Sequence, residues 1–154
     1  MNPPCILDDA QRALLTSVLN RLVPARTDLP GAGDLDVGAS IESAMAGSAP
    51  LRRLLLDGLV EIAVTCERQH HSTFVESATA TQTQVLKEIE DAHPTFFDTL
   101  VGYTYRGYYT LPAVHQAIGH DSRPPQPQGH RLPPFDPALL TQQRERLPFW
   151  RPTS

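Results

Sequence analysis

The chain has 154 residues and a formal net charge of −4, long enough for a buried core that needs no disulfide or metal ion. Its net negative charge predicts no basic surface for nucleic acid. A content of 40% hydrophobic and 19% charged residues is typical of a soluble globular protein. No run approaches about 18 apolar residues, so no membrane span is predicted.

The two cysteines, Cys5 and Cys66, are too few for a disulfide framework. The pairing of these two cysteines in a single disulfide is left as an alternative. The N-terminus, MNPPCILDDAQ, has no charged segment followed by an apolar one. The sequence therefore predicts a cytoplasmic chain, or a periplasmic one if a partner carries it out or a leader has been removed.

The first predicted helix has a clear start. Asp8 is a capping residue and Gln11 follows three positions later, the spacing of a capping box. Pro24 ends the helix. Its apolar residues recur at helical spacing: Leu14, Leu15, Val18 and Leu22.

A turn-rich loop is predicted over residues 24–38, where Pro-Gly and repeated Gly and Asp occur. A short helix from about 39 to 45 follows and ends at Gly47. Pro50 then occupies a first helical position and opens the most hydrophobic helix. One face of that helix carries Leu51, Leu55, Leu59, Ile62 and Cys66, widened by Leu54 and Leu56.

The polar stretch ATATQTQ, residues 78–84, is predicted to connect to a fourth helix that runs from Val85 to about Asp91. Pro94 opens a fifth helix. No segment alternates with period two, so the fold class is all-α, with about five to six helices. The predicted core face of the fifth helix carries Phe97, Leu100, Val101, Thr104 and Tyr108.

All four tyrosines lie in GYTYRGYYT, residues 102–110. On a helix, Tyr103 and Arg106 share one side, and Tyr105 and Tyr109 share another. Tyrosine and arginine dominate protein interfaces, so this segment is predicted to bind a partner, while internal packing stays an open alternative. Gly102 and Gly107 each cost about 1 kcal/mol inside a helix, which either a close backbone approach or a bend in the helix would explain. The predicted partner-binding residues here are Tyr103, Arg106, Tyr108 and Tyr109.

Residues 121–154 form a predicted proline-rich strap and tail after a helical domain over residues 1–120. The strap, SRPPQPQGHRLPPFDP, is too rich in proline for a helix or strand. A short helix is predicted near residues 137–146. The apolar end LPFW adds Phe149 and Trp150 to the predicted partner contacts.

The nearest approach to a metal site is Cys66 with His70 and His71, but zinc needs at least three ligands in a defined geometry. Cys66 is better explained as a buried thiol and the histidines as cations near a helix C-terminus. The chain has no nucleophile motif and no dinucleotide-binding turn. It is therefore predicted to contain no metal, no cofactor and no catalytic residue.

The order FFDTL, then GYYT, resembles the C-terminal signature of the gluconate 2-dehydrogenase subunit 3 family. In the N-terminal half, Leu22-Val23-Pro24 followed by Pro30-Gly31-Ala32 is similar to the family's early pattern, and the likeness covers about residues 8–125. The C-terminal positions that carry it are Phe96, Phe97, Leu100, Thr104, Gly107, Tyr108, Tyr109 and Thr110.

This resemblance implies a non-catalytic small subunit that binds and stabilises, or acts as a chaperone for, an FAD-dependent GMC-type sugar or polyol dehydrogenase. FAD is then expected in the large subunit, and a cytochrome c subunit is a further expected partner. Such small subunits commonly supply an export leader, and this sequence departs from that pattern. The alternatives are a free-standing helical chaperone or scaffold, and a small enzyme or metal-binding protein around Cys66, His70 and His71.

Overall fold

The computed structural model describes residues 6–120, 135–141 and 145–146. Within them the chain forms six α-helices, two short 3-10 helices and no strand, which confirms the all-α prediction. The chain divides into two units, residues 1–122 and 123–154. The helices of the first unit are α1 Asp9–Leu22, α2 Val37–Gly47, α3 Ala49–His70, α4 Thr79–Ala92, α5 Pro94–Tyr109 and α6 Pro112–Ala117, with a 3-10 helix at Ala32–Asp34.

The predicted capping box of α1 is confirmed. The Asp8 carboxylate accepts a hydrogen bond from the backbone N–H of Gln11 at 2.7 Å. In return, the side-chain oxygen of Gln11 accepts one from the backbone N–H of Asp8 at 3.0 Å. Two amides at the helix start are thereby satisfied. The buried side chains of α1 are Leu14, Leu15, Val18 and Leu19.

The Glu42 carboxylate of α2 holds the chain that enters α1. Its Oε1 accepts hydrogen bonds from the amides of Ile6 at 2.8 Å and Leu7 at 3.0 Å, and Arg12 donates to both carboxylate oxygens. The hydrogen bonds from Arg12, and then those from the Leu7 and Ile6 amides, lower the pKa of Glu42 from 4.5 to about 2 although its partial burial opposes the shift. Ile6 and Leu7 are thus fastened to α2 through one side chain.

We expect Glu42→Gln to lower the free energy of unfolding by about 2 kcal/mol at pH 7, because a charged acceptor with several donors is lost. The folded-state pKa lies below 4.5, so the stabilisation is complete above about pH 4.5 and is lost as the pH falls toward 2. Urea unfolding at several pH values should show the difference between wild type and variant shrinking over that range.

The matched control is Asp9→Asn, which removes a fully exposed partner of the same Arg12 at 3.2 Å. An exposed ion pair of this kind contributes about 0.5 kcal/mol. Equal losses in the two variants would show that Glu42 does not fasten the N-terminal segment.

Helix α3 packs closely against α5 at Gly58. Gly58 is buried in α3, and the ring of Phe96 from α5 lies directly over it, with a Cβ at position 58 placed only 2.1 Å from Phe96 Cδ2. Leu55, Leu59, Ile62 and Cys66 are buried along α3 as predicted, whereas Leu51, Leu54 and Leu56 are only partly buried. The missing side chain of Gly58 therefore sets how closely these two helices approach.

Helix α4 begins six residues earlier than predicted, at Thr79 instead of Val85, so the stretch predicted as a connection is helical. The reason is a set of tertiary contacts. The side-chain amide of Gln82 is buried, and it donates hydrogen bonds to the Phe74 carbonyl at 2.7 Å and to Ser17 Oγ of α1 at 3.1 Å. Gln82, a polar residue in a stretch predicted to be a connection, is thus packed inside the helical domain.

Three further elements differ from prediction. Helix α2 begins at Val37, not near Ala39, because Val37 is fully buried and its packing extends the helix. Helix α6 was not predicted, although Pro112 at its first position and the buried Val114 explain it. In the second unit, a 3-10 helix at Pro137–Leu140 covers part of the predicted short helix.

Candidate functional site: the tyrosine-bearing end of α5

Tyr108 faces the interior of the first unit. Its side chain is 2% exposed, and its hydroxyl donates to the Pro30 carbonyl at 2.9 Å. Burial raises the pKa of this phenol. The burial confirms the prediction that Tyr108 lies on the core face of α5, where its ring attaches this helix to the loop before α2. It gives no support to the second role predicted for Tyr108, that of a partner contact.

Tyr105 and Tyr109 lie on the solvent side of α5. They are 46% and 49% exposed, and their ring centroids are 6.0 Å apart. The rings of Tyr109 and Tyr108 also form an edge-to-face pair, with their centroids 5.4 Å apart and their planes at 90°. Since aromatic pairs at these distances attract each other, the two exposed rings are held in place before any partner arrives.

Arg106 is exposed and lies over the ring of Tyr103, with 5.4 Å between the guanidinium carbon and the ring centroid. This cation–π geometry orders a long, flexible side chain at the surface. We call this group the tyrosine surface. It consists of the exposed Gly102, Tyr105, Arg106 and Tyr109 and the half-buried Tyr103.

The two glycines of this segment have different surroundings. Gly107 is buried, and a Cβ there would lie 3.0 Å from Val37 Cγ1 of α2, so a close approach explains it as predicted. Gly102 is exposed and has no atom within 4 Å of its Cβ position. Within the described part of the chain, no neighbour accounts for a residue that weakens the helix by about 1 kcal/mol.

A small pocket of about 170 Å³ lies beside the tyrosine surface. Its walls come from the end of α1 and the following loop, which includes Arg26, and from three tyrosines of α5. The ring of His115 from α6 contacts the Tyr109 carbonyl and stacks edge-on with His120 at 5.0 Å. The tyrosine surface is therefore bordered by further polar groups.

Cys66 is fully buried with a free thiol, which confirms its interpretation as a core residue. Its sulfur lies 3.3 Å from Ser77 Oγ, and that hydroxyl also meets Ser72 Oγ at 2.8 Å. These contacts tie the end of α3 to the loop before α4. They enclose the thiol instead of presenting it to a substrate.

His70 ends α3, and His71 follows it in a left-handed conformation with φ 51°. The Nε2 atom of His70 is buried without a hydrogen-bond partner. Across residues 6–120, 135–141 and 145–146, no group of three or more His, Cys, Asp or Glu side chains is placed to hold a metal ion. The absence of zinc stays a prediction.

An apolar groove of about 550 Å³, which was not predicted, lies between α1, α3 and the segment that follows α3. Val60 and Val75 line it while remaining 52% and 48% exposed. A signal was present, since Val60 is an apolar residue of α3 outside its predicted core face. We call it the valine groove. It is lined by Asp8, Ala10, Gln11, Ala13, Leu14, Leu59, Val60, Ala63, Glu67, Thr73, Phe74, Val75 and Glu76.

Phe149 and Trp150, the other predicted partner contacts, lie outside the described residues. So do Cys5 and most of the strap. For the described helices, none is both long and apolar enough to cross a membrane.

A family model described as Gluconate 2-dehydrogenase subunit 3 matches residues 9–122, a span that contains α1 to α6 and the tyrosine surface. Searches of curated proteins and of solved structures returned no significant match. The family match covers well over half of the chain, including both halves of the resemblance seen in the sequence. The chain therefore belongs to the gluconate 2-dehydrogenase subunit 3 family.

Proposed function

We propose that this chain is a non-catalytic accessory subunit that binds and stabilises the FAD-containing large subunit of a GMC-type sugar or polyol dehydrogenase. Its family describes a subunit of a dehydrogenase, which supports membership of such a complex. In this proposal FAD and the oxidation of substrate reside in the large subunit. A cytochrome c subunit is the further partner that would accept electrons.

A role without chemistry agrees with where the reactive groups lie. The Cys66 thiol is fully buried against Ser77. By contrast, α5 presents two half-exposed tyrosines, Tyr105 and Tyr109, and the exposed Arg106 to solvent. Tyrosine and arginine provide large contact areas with polar tips, as interface anchors do.

The observation that carries the proposal is Gly102. Gly102 weakens α5 and has no neighbour within 4 Å of its Cβ position, yet Tyr105 and Tyr109 lie on the same side of the helix. A partner backbone that packs between the rings would account for the absence of a side chain there. We therefore propose that the tyrosine surface is where the large subunit binds.

Gly102→Leu tests this directly, because it adds a side chain where the isolated chain has open space. We expect an unchanged or slightly higher melting temperature for the isolated chain, since leucine favours a helix by about 1 kcal/mol over glycine. We expect the dissociation constant for the large subunit to rise by about tenfold or more, because the added side chain obstructs a packed contact. Isothermal titration with the purified flavoprotein measures the binding.

The control is Gly47→Leu, the same substitution at the exposed end of α2, where no atom lies within 4 Å either. It should leave the affinity unchanged. If Gly102→Leu binds as tightly as wild type, the tyrosine surface is not the contact. If no yellow flavin-containing protein co-purifies with the wild-type chain on co-expression, the accessory-subunit proposal itself is wrong.

A further inference from the structure

The valine groove has an apolar floor and half-exposed walls. Leu14, Leu59 and Phe74 form the floor and are 8%, 3% and 2% exposed, while Val60 and Val75 stand open to solvent at the sides. Scattered exposed aliphatic residues are normal, but their convergence on one concave site marks a binding surface. A volume of about 550 Å³ has room for several apolar side chains of a partner.

The rim of the valine groove carries charge of one sign only. Asp8, Glu67 and Glu76 line it, and no lysine, arginine or histidine is among its lining residues. Asp8 is occupied by the capping box, and Glu76 accepts a hydrogen bond from Thr73 at 2.8 Å. A ligand that fits this groove combines apolar side chains with a positive charge.

Glu67 is the rim carboxylate that is left for a partner. Among the described residues, no side chain forms a hydrogen bond or ion pair with it. It also lies in the last turn of α3, where a negative charge opposes the helix dipole. A cation brought by another molecule would satisfy this carboxylate.

We infer that the valine groove is a second docking site, which receives an apolar segment of the dehydrogenase large subunit carrying a lysine or arginine that pairs with Glu67. This inference rests on the proposed function. Such a segment binds as an amphipathic helix does in a groove, with apolar anchors below and the basic residue at the rim. A second copy of this chain fits less well, because a two-fold contact through the groove would set the acidic rims against each other.

Two pairs of variants test the site. Glu67→Lys reverses the rim charge, and Glu90→Lys makes the same change in the last turn of α4, away from the groove. Val60→Gln makes the wall polar, and Val64→Gln is its control on the same helix, 50% exposed but not lining the groove. All four changes are at exposed helical positions, and glutamine and lysine are good helix formers, so the melting temperature of each isolated variant should stay near that of wild type.

We expect the dissociation constant for the purified large subunit to rise about tenfold for Glu67→Lys and about fivefold for Val60→Gln, with changes below about twofold in both controls. Glu67→Gln should also reduce the salt dependence of binding, because one screened ion pair is removed.

If both groove variants bind like their controls while Gly102→Leu still weakens the complex, the groove inference is wrong and the accessory-subunit proposal stands. If the wild-type chain binds no flavoprotein, the proposed function fails and this inference fails with it. Sedimentation that shows a dimer of this chain dissociated by Val60→Gln would identify a second copy as the occupant and overturn the inference.

Discussion

Gly33→Ala is expected to lower the free energy of unfolding by about 3 kcal/mol, one of the two largest effects we anticipate in this chain. A Cβ at position 33 would lie 2.2 Å from the Thr16 carbonyl oxygen, which belongs to the backbone of α1. Because that oxygen is fixed within a helix, the loop has to move away instead. The movement would break the 2.8 Å hydrogen bond from the Gly33 amide to Asn20 Oδ1.

The loop displaced by Gly33→Ala also carries Pro30, whose carbonyl accepts the hydrogen bond of Tyr108. We therefore expect the substitution to loosen the end of α5 and to weaken binding through the tyrosine surface as well. Urea unfolding followed by circular dichroism measures the stability. Titration with the large subunit at a temperature where both proteins are folded measures the second effect.

The control for Gly33→Ala is Gly38→Ala in the first turns of α2. The nearest atom to a Cβ there is Leu19 Cδ1 at 3.8 Å, an ordinary contact. This variant should gain up to about 1 kcal/mol from helix propensity. A neutral Gly33→Ala would contradict the close approach of the loop to α1.

Gly58→Ala is the second substitution with a large expected effect, again a loss of about 3 kcal/mol. A Cβ at position 58 would lie between 2.1 and 2.4 Å from three atoms of the Phe96 ring. Phe96 is 3% exposed and rigid, so either the ring leaves its packed position or α3 and α5 separate. At roughly 3 °C per kcal/mol, the melting temperature should fall by about 10 °C.

A double-mutant cycle identifies the cause of the Gly58→Ala effect. Phe96→Leu removes the ring at a cost of its own, and it should reduce the penalty of Gly58→Ala when the two are combined. Gly102→Ala, inside α5 with open space around it, should instead stabilise the chain by about 1 kcal/mol. Additive losses in the cycle would show that Phe96 is not what Gly58 accommodates.

Local signals in the sequence predicted a helix correctly where its start depends on residues close by in the chain. The capping pair of Asp8 and Gln11, and the prolines at positions 50 and 94, placed the starts of three helices to within a residue or two. Helical spacing also identified most of the buried face of α3. Capping, proline geometry and amphipathic periodicity act within a few residues, so one sequence is enough to read them.

The tyrosine surface was predicted only in part. The pairing of Tyr103 with Arg106, and of Tyr105 with Tyr109, follows from spacing along one helix and is confirmed. Tyr108 was predicted both on the core face and among the partner contacts, and its burial supports the first of these. The sequence could not identify its hydroxyl partner, the Pro30 carbonyl, because that group lies 78 residues away. Gly102 and Gly107 look alike in sequence, and only the position of α2 beside Gly107 separates them.

What the sequence by itself determined is the helical class, the main core stripes and the family resemblance, since each depends on residue type and short-range order. Tertiary structure alone decided three other features: the helical state of residues 79–84, the hydrogen bond from Tyr108 to Pro30 and the existence of the valine groove. Gln82 becomes a helical core residue because Ser17, 65 residues away, accepts its amide hydrogen bond. The valine groove exists because α1, α3 and the segment around Phe74 meet at one place. Such contacts depend on how distant segments share a core, and no local pattern encodes that choice.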